Sequence, residues 1–243
     1  MGKQMEKRLI RNLERERTSS RARDEFLAML SHELRTPLNP VLLLASDGAN
    51  NRSLPQNVRG DFETICKNLE VEIRLIDDLL DLVRTKRGKV TLEPRLVDAH
   101  AVLANAISIV ENEIARKQIL LKLRFQAANY QIYADTVRLR QIFWNVMKNA
   151  VKFTPATGQI TVTTDTMGGH MIIRITDTGI GMTPAELKNI FKEFSQGSHR
   201  LGGLGLGLAI SRKLVKLHNG SISATSSGRN KGATFSIKFP VMM

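Results

Sequence analysis

Apolar residues recur at threes and fours over two long stretches of the first ninety positions, and at twos over several short stretches beyond them. In residues 5–30, Leu9, Leu13, Phe26, Leu27 and Leu30 stand at helix-like spacings among alternating charges, so the pattern predicts a long helix. Pro37 and Pro40 fall in its continuation and predict a bend, after which Val41 to Ala45 resumes the apolar run. Turn formers concentrate from Asp47 to Pro55, which predicts a loop that returns the chain. Phe62, Ile65, Leu69, Ile73, Ile76, Leu80 and Val83 then build one apolar stripe on a helix from about Asn57 to Arg84. An antiparallel pair of helices is a small core, so a dimeric four-helix bundle is expected. Lys86 to Lys89 ends the periodicity and reads as a hinge.

From residue 91 the texture becomes α/β. Residues 99–115 read as one helix, and 119–125 and 131–134 as short strands. Asp135 reads as the cap of a helix that runs to Phe153 and stops at Thr154-Pro155. Residues 159–166 and 170–177 alternate around Gly168-Gly169 as a hairpin, and 220–226 with 232–239 make a second strand pair. No internal repeat is visible. The expected domains are a linker helix over 1–22, a helical domain over 23–88 and an α/β domain over 89–243.

Composition narrows the class. The 243 residues are 42% hydrophobic and 24% charged, ordinary values for a folded globular chain. No apolar run approaches the roughly 18 residues of a membrane-spanning helix, and no targeting signal is visible. One cysteine, Cys66, excludes an internal disulfide, and the five histidines form no zinc-site spacing, so a reducing, cytoplasmic setting is expected. The net charge of +13 lies mostly in the second half, +3 over 1–90 against +10 over 91–243. Such a field suits a polyanion or a phosphorylated small ligand. Aromatics total 5% and do not interleave with the basic residues, which argues against nucleic acid.

Four blocks carry candidate chemistry. Ser31-His32-Glu33-Leu34-Arg35-Thr36-Pro37 places an imidazole beside a carboxylate, with His32 and Thr36 on one helix face. Taken alone, such a pair is usually a solvated surface pair. Gln141, Asn145, Asn149 and Lys152 line one side of a helix, where a carboxamide oxygen can ligate Mg²⁺ and an ammonium can meet phosphates; a solvated polar face is the alternative. Asp177-Thr178-Gly179-Ile180-Gly181 follows a strand, and a buried Asp there can accept from an exocyclic amine; an ordinary turn reads as well. Gly202-Gly203-Leu204-Gly205-Leu206-Gly207 precedes an apolar helix and offers backbone N–H groups to an anion, or a flexible hinge.

In this order, and over about residues 20–240, the blocks resemble the sensor histidine kinases of two-component signalling. Phe26 to Asn39 is similar to the family's H box, Asn145 to Lys152 to its N box, Asp177 to Gly181 to its G1 box, Ile190-Phe191-Lys192-Glu193-Phe194 to its F box, and Gly203 to Gly207 to its G2 box. The resemblance implies a helical hairpin that dimerises as a four-helix bundle, followed by a Bergerat-type α/β sandwich that binds ATP. It implies that His32 is phosphorylated with Glu33 as base, and that Thr36 orients water for a reverse phosphatase activity. It implies Asn149 as Mg²⁺ ligand, Asn145 and Lys152 at the metal's waters and the phosphates, and Asp177 at the adenine amine. Phe153, Gly179, Gly181, Phe191 and Phe194 would complete the nucleotide site, with Gly203, Leu204, Gly205, Leu206 and Gly207 as its mobile lid. The implied partners are a second copy of the chain and a response-regulator receiver domain. Pro40 departs from the family's usual small residue. A non-kinase ATPase of the same superfamily, a degenerate scaffold and a nucleic-acid binder are the rival readings.

Overall fold

The computed structural model describes residues 29, 33–86, 92–195 and 205–241, with the backbone alone for 74, 75 and 77–86. It divides into two units, Met1–Lys89 and Val90–Met243.

In the first unit, helix α1 covers 33–50 and α2 covers Gln56–Lys86. α1 continues through Pro37 and Pro40 and ends three residues past Asp47, so the loop expected from Asp47 shrinks to 51–55. Gly48 explains the difference. A Cβ there would fall 2.6 Å from the Phe62 ring, so this glycine is a notch that lets α2 approach and not a helix breaker. Asn51 makes the turn, accepting at Oδ1 from the Ser53 N–H at 3.0 Å and the Ser53 hydroxyl at 2.6 Å.

The second unit runs β1 (Arg95–Asp98), α3 (Ala99–Ser108), α4 (Glu111–Arg116), β2 (Leu120–Phe125), β3 (Gln131–Ala134), α5 (Thr136–Phe153), β4 (Gln159–Met167), β5 (His170–Asp177), α6 (Pro184–Asn189), α7 (Gly207–Leu217), β6 (Ser221–Thr225) and β7 (Ala233–Pro240). The single helix expected over 99–115 is two. Ile107, Ile109 and Val110 are β-branched and propagate a helix poorly, and the Val110 N–H tightens onto the Ile107 carbonyl at 3.0 Å. Glu111 and Glu113 then begin α4, with their charge at its positive end.

Five strands form a mixed sheet in the order β2-β4-β5-β7-β6, with only β2 and β4 parallel; β1 and β3 make a separate antiparallel pair. Ile160 and Val162 of β4, Met171, Ile173 and Ile175 of β5 and Phe235, Ile237 and Phe239 of β7 are buried on the helix-bearing face. α5 lies across it, with Phe143 edge-on to Phe239 at 6.3 Å. The opposite face presents Thr161, Thr163, Thr176, Thr234 and Ser236, which is why the strands alternate as the sequence predicts.

Candidate functional site

α5 is the element on which the site is built. Asp135 caps it, accepting from the Val137 and Arg138 N–H groups at 3.0 and 3.1 Å, and its other oxygen accepts from the Glu93 N–H. Leu139, Ile142, Phe143, Val146, Met147, Ala150 and Val151 are buried. Asn145 is buried with them, whereas Asn149, Lys152 and Phe153 are half-buried. Asn145 Nδ2 donates to the Gly207 carbonyl and to Ser211 Oγ, each at 3.2 Å, so the amide is engaged with α7. No hydrogen bond joins the Asn149 side chain to another described residue. The Lys152 ammonium sits 5.0 Å from the Phe153 ring centre, and burial holds its pKa below the ordinary lysine value.

β5 delivers Asp177 at its end, buried. One carboxylate oxygen accepts from the Gly179 N–H at 2.8 Å and the Ala233 N–H at 3.3 Å. Burial pushes the carboxyl pKa up, and those two N–H groups only partly oppose it. The glycines that follow are required by close approach. A Cβ at Gly179 would overlap the Phe153 carbonyl, and one at Gly181, whose φ is +62°, would overlap the carbonyl of Gly228. The 226–232 loop is thereby clamped on: Met182 N–H to Ser226 Oγ at 2.9 Å, Asn230 N–H to the Ile180 carbonyl at 2.7 Å, Gly232 N–H to the Gly179 carbonyl at 3.0 Å. An Arg229–Glu186 ion pair of 2.6 Å ties the loop to α6.

After α6, Phe191 packs edge-on to Phe235 at 6.5 Å, with the Arg212 guanidinium 5.6 Å over its ring, and Glu193 pairs with Lys213 of α7 at 2.8 Å. Phe194 is 58% exposed at φ +58°. Gly205, at φ +71°, backs onto Ser195, where a Cβ would sit 2.5 Å from the carbonyl oxygen. Leu206 is buried, and Gly207 opens α7 against the Asn145 carboxamide. Gly203 and Leu204 lie outside the described residues. In the helical unit Glu33 and Thr36 are exposed near the start of α1, and His32 lies outside the described residues.

Residues 134–243 match the family described as histidine kinase-, DNA gyrase B- and HSP90-like ATPase, and residues 22–88 match the His kinase A phospho-acceptor domain. The chain belongs to the histidine kinases. Among relatives of this histidine kinase, the autoinducer 2 sensor kinase/phosphatase LuxQ of Vibrio vulnificus is 34% identical over 234 residues, 92% of this chain and 27% of the relative. The circadian input-output histidine kinase CikA of Synechococcus elongatus is 34% identical over 240 residues, 96% of this chain and 32% of the relative. A crystal structure of full-length ShkA in complex with AMPPNP aligns with a TM-score of 0.74 at 31% identity, covering 90% of this chain and 46% of that one. The chain thus spans about a third or less of the curated relatives it matches.

Within the α/β unit of this histidine kinase, Asn145 meets Gly207, Phe153 meets Gly179, and Gly205 meets the backbone just after Phe194. For a cation, the donor chemistry fits on one point: Asn149 offers a hard carboxamide oxygen with no protein partner among the described residues. No group of three or more His, Cys, Asp or Glu stands together among them, so the remaining ligands would be phosphate oxygens and water. Sequence reasoning missed the 226–232 loop and Lys117, whose ammonium donates to the Val151, Lys152 and Thr154 carbonyls at the end of α5. Gly228 and Gly232 were a readable turn signal; a single lysine among many was not.

Proposed function

We propose that this chain is the catalytic core of a sensor histidine kinase, transferring the γ-phosphoryl group of ATP to its own His32. The observation that carries the reading is the gathering of the N-box, G1 and G2 residues around α5: Asn145 bonded to Gly207, Phe153 against Gly179, and buried Asp177 beside them. The ATPase-family match and the AMPPNP complex of the similar ShkA support ATP as the nucleotide.

In this reading the Asp177 oxygen not engaged by Gly179 and Ala233 accepts from the adenine amine, Lys152 and the amides at the start of α7 meet the phosphates, and Asn149 ligates Mg²⁺. Phe153, Gly179, Gly181, Phe191, Phe194 and Gly203 to Gly207 enclose the nucleotide. Bound Mg²⁺ neutralises phosphate charge. An imidazole nitrogen of His32 forms a bond to the γ-phosphorus as the bond to the β–γ bridging oxygen breaks, ADP carries away that electron pair, and Glu33 takes the imidazole proton. The phosphoryl group then passes to an aspartate of a receiver domain, and Thr36 orients water for the reverse, phosphatase reaction.

The domain borders proposed are 1–22, 23–88 and 89–243. Leu34, Val41, Leu43 and Leu44 of α1 are each 46–68% exposed in the single chain, which supports a homodimer that covers them. Use of ATP and of a receiver partner implies a cytoplasmic location. The test is incubation with γ-labelled ATP and Mg²⁺ beside His32→Gln. Acid-labile, alkali-stable label in the parent alone is expected. Label retained by H32Q, or none in a parent that binds ATP, overturns the assignment.

A further inference from the structure

The last turn of a helix leaves four carbonyls without intrahelical partners. In α5 each has one, and most come from outside the helix. The Ala150 carbonyl takes the Thr154 N–H at 3.0 Å and the Thr154 hydroxyl at 2.6 Å. The Phe153 carbonyl takes the Ile180 N–H at 3.2 Å. Those of Val151 and Lys152, and that of Thr154 just beyond, all take the ammonium of Lys117, at 2.7, 3.0 and 2.9 Å. The adjoining chain caps only the Ala150 carbonyl, through Thr154. Thr154 is extended (φ −80°, ψ 127°), so no left-handed closure forms, and Pro155 has no N–H to donate. Lys117 sits in the turn between α4 and β2, where its own carbonyl accepts from the Thr157 N–H at 2.9 Å.

Three N–H donors on one tetrahedral nitrogen meet three carbonyls, which uses the whole hydrogen-bonding capacity of an ammonium and sets its charge at the negative end of the α5 dipole. This same turn carries Lys152 and Phe153, and the Phe153 carbonyl is the hold on Ile180 between Gly179 and Gly181. We propose that Lys117 is a positioning residue for nucleotide binding: by gripping three carbonyls at the end of α5 it fixes Lys152, Phe153 and the Gly179–Gly181 loop. The inference rests on the nucleotide site proposed above.

Lys117→Met keeps the stem and removes the donors, and Lys122→Met, on exposed β2, is the control. AMPPNP titration with Mg²⁺ is performed on the full chain at a temperature where all variants are folded. A purely structural role lowers the folded fraction and leaves the Kd of folded protein unchanged; positioning raises that Kd. We expect K117M to bind at least tenfold more weakly and K122M to stay within twofold of the parent. Should K117M fail to fold, Lys117→Arg carries the same test, because its planar fork keeps the charge but cannot place three donors on one nitrogen as the ammonium does. A lower affinity supports the proposal. A parental Kd in K117M, or in K117R where K117M does not fold, overturns it. A parent that binds no nucleotide overturns the site assignment itself, a separate and distinguishable outcome.

Discussion

Gly181 and Gly168 have nearly the same backbone, φ +62° and +58°, and opposite surroundings: a Cβ at 168 meets nothing within 4 Å, and one at 181 overlaps the Gly228 carbonyl. Alanine at either position incurs the left-handed penalty, about 1–2 kcal/mol. For Gly168→Ala that is the whole effect. For Gly181→Ala the Gly228 carbonyl must also retreat by on the order of 1 Å to recover van der Waals separation. That carbonyl belongs to the loop held by Met182–Ser226, Asn230–Ile180 and Gly232–Gly179. Loss of two or three such bonds at about 1 kcal/mol each gives a total of about 3–5 kcal/mol. Thermal unfolding of both variants in the full chain measures the difference, and AMPPNP titration measures the site. Gly168 lies at the far end of β5 from Asp177, so G168A is expected to bind as the parent does and G181A at least tenfold more weakly. Equal losses of stability would refute the reasoning, because they would show that the 226–232 loop yields without resistance.

Asp177→Asn keeps an acceptor for the Gly179 and Ala233 N–H groups but removes the charge. Because the folded carboxyl titrates above its ordinary 3.8, its stabilising contribution is complete at lower pH and is lost as pH rises through the folded value. D177N should therefore melt higher than the parent at neutral pH, by a margin that shrinks towards pH 4, while losing nucleotide affinity; a margin independent of pH would contradict this. Asn145→Ala removes both bonds to α7, about 2 kcal/mol, and with Ser211→Ala should give a non-additive double-mutant cycle, whereas additivity would show the two side chains to be uncoupled. Gly207→Ala places a Cβ 3.4 Å from the Asn145 carboxamide, ordinary contact, so the fold should keep its melting temperature; a fall of several degrees would show the α7 entry to be tighter than this spacing. His218 is buried with Nε2 facing the Asp135 N–H at 3.0 Å and Nδ1 facing the Leu214 carbonyl at 2.8 Å. Its proton therefore belongs on Nδ1, and nitrogen NMR showing the Nε2–H tautomer would be inconsistent with the geometry.

Local chemistry was legible in the sequence and distant pairing was not. Asp135 and Thr154-Pro155 mark the ends of α5 by capping rules alone, and Gly168-Gly169 marks the β4–β5 turn. β1 is four residues, Arg-Leu-Val-Asp, paired only with β3, too short for alternation to stand out. Gly48 looked like a breaker because its role is set by Phe62, across the hairpin. The parallel β2–β4 pairing has no sequence signature. Blocks such as Asp177 to Gly181 were readable because polar and glycine positions interrupt apolar runs. Lys117 was not, since its three acceptors lie 34 to 37 residues away.

The two asparagines of α5 separate on energetic grounds. Asparagine in a helix interior is less favourable than alanine by about half a kcal/mol, and partial burial of a carboxamide adds to that unless it is bonded. At Asn145 the fold supplies the compensation, through Gly207 and Ser211, so its presence has a structural explanation before any ligand is considered. At Asn149, one turn later and half-buried, no hydrogen bond from the described protein offsets the same penalty. The resemblance assigns both residues to the nucleotide and its metal; of the two, only Asn149 has a carboxamide without a hydrogen-bond partner among the described residues, which is why the proposed metal role falls on it. Asn145 instead joins α5 to the start of α7, so its carboxamide is already committed to holding those two helices together.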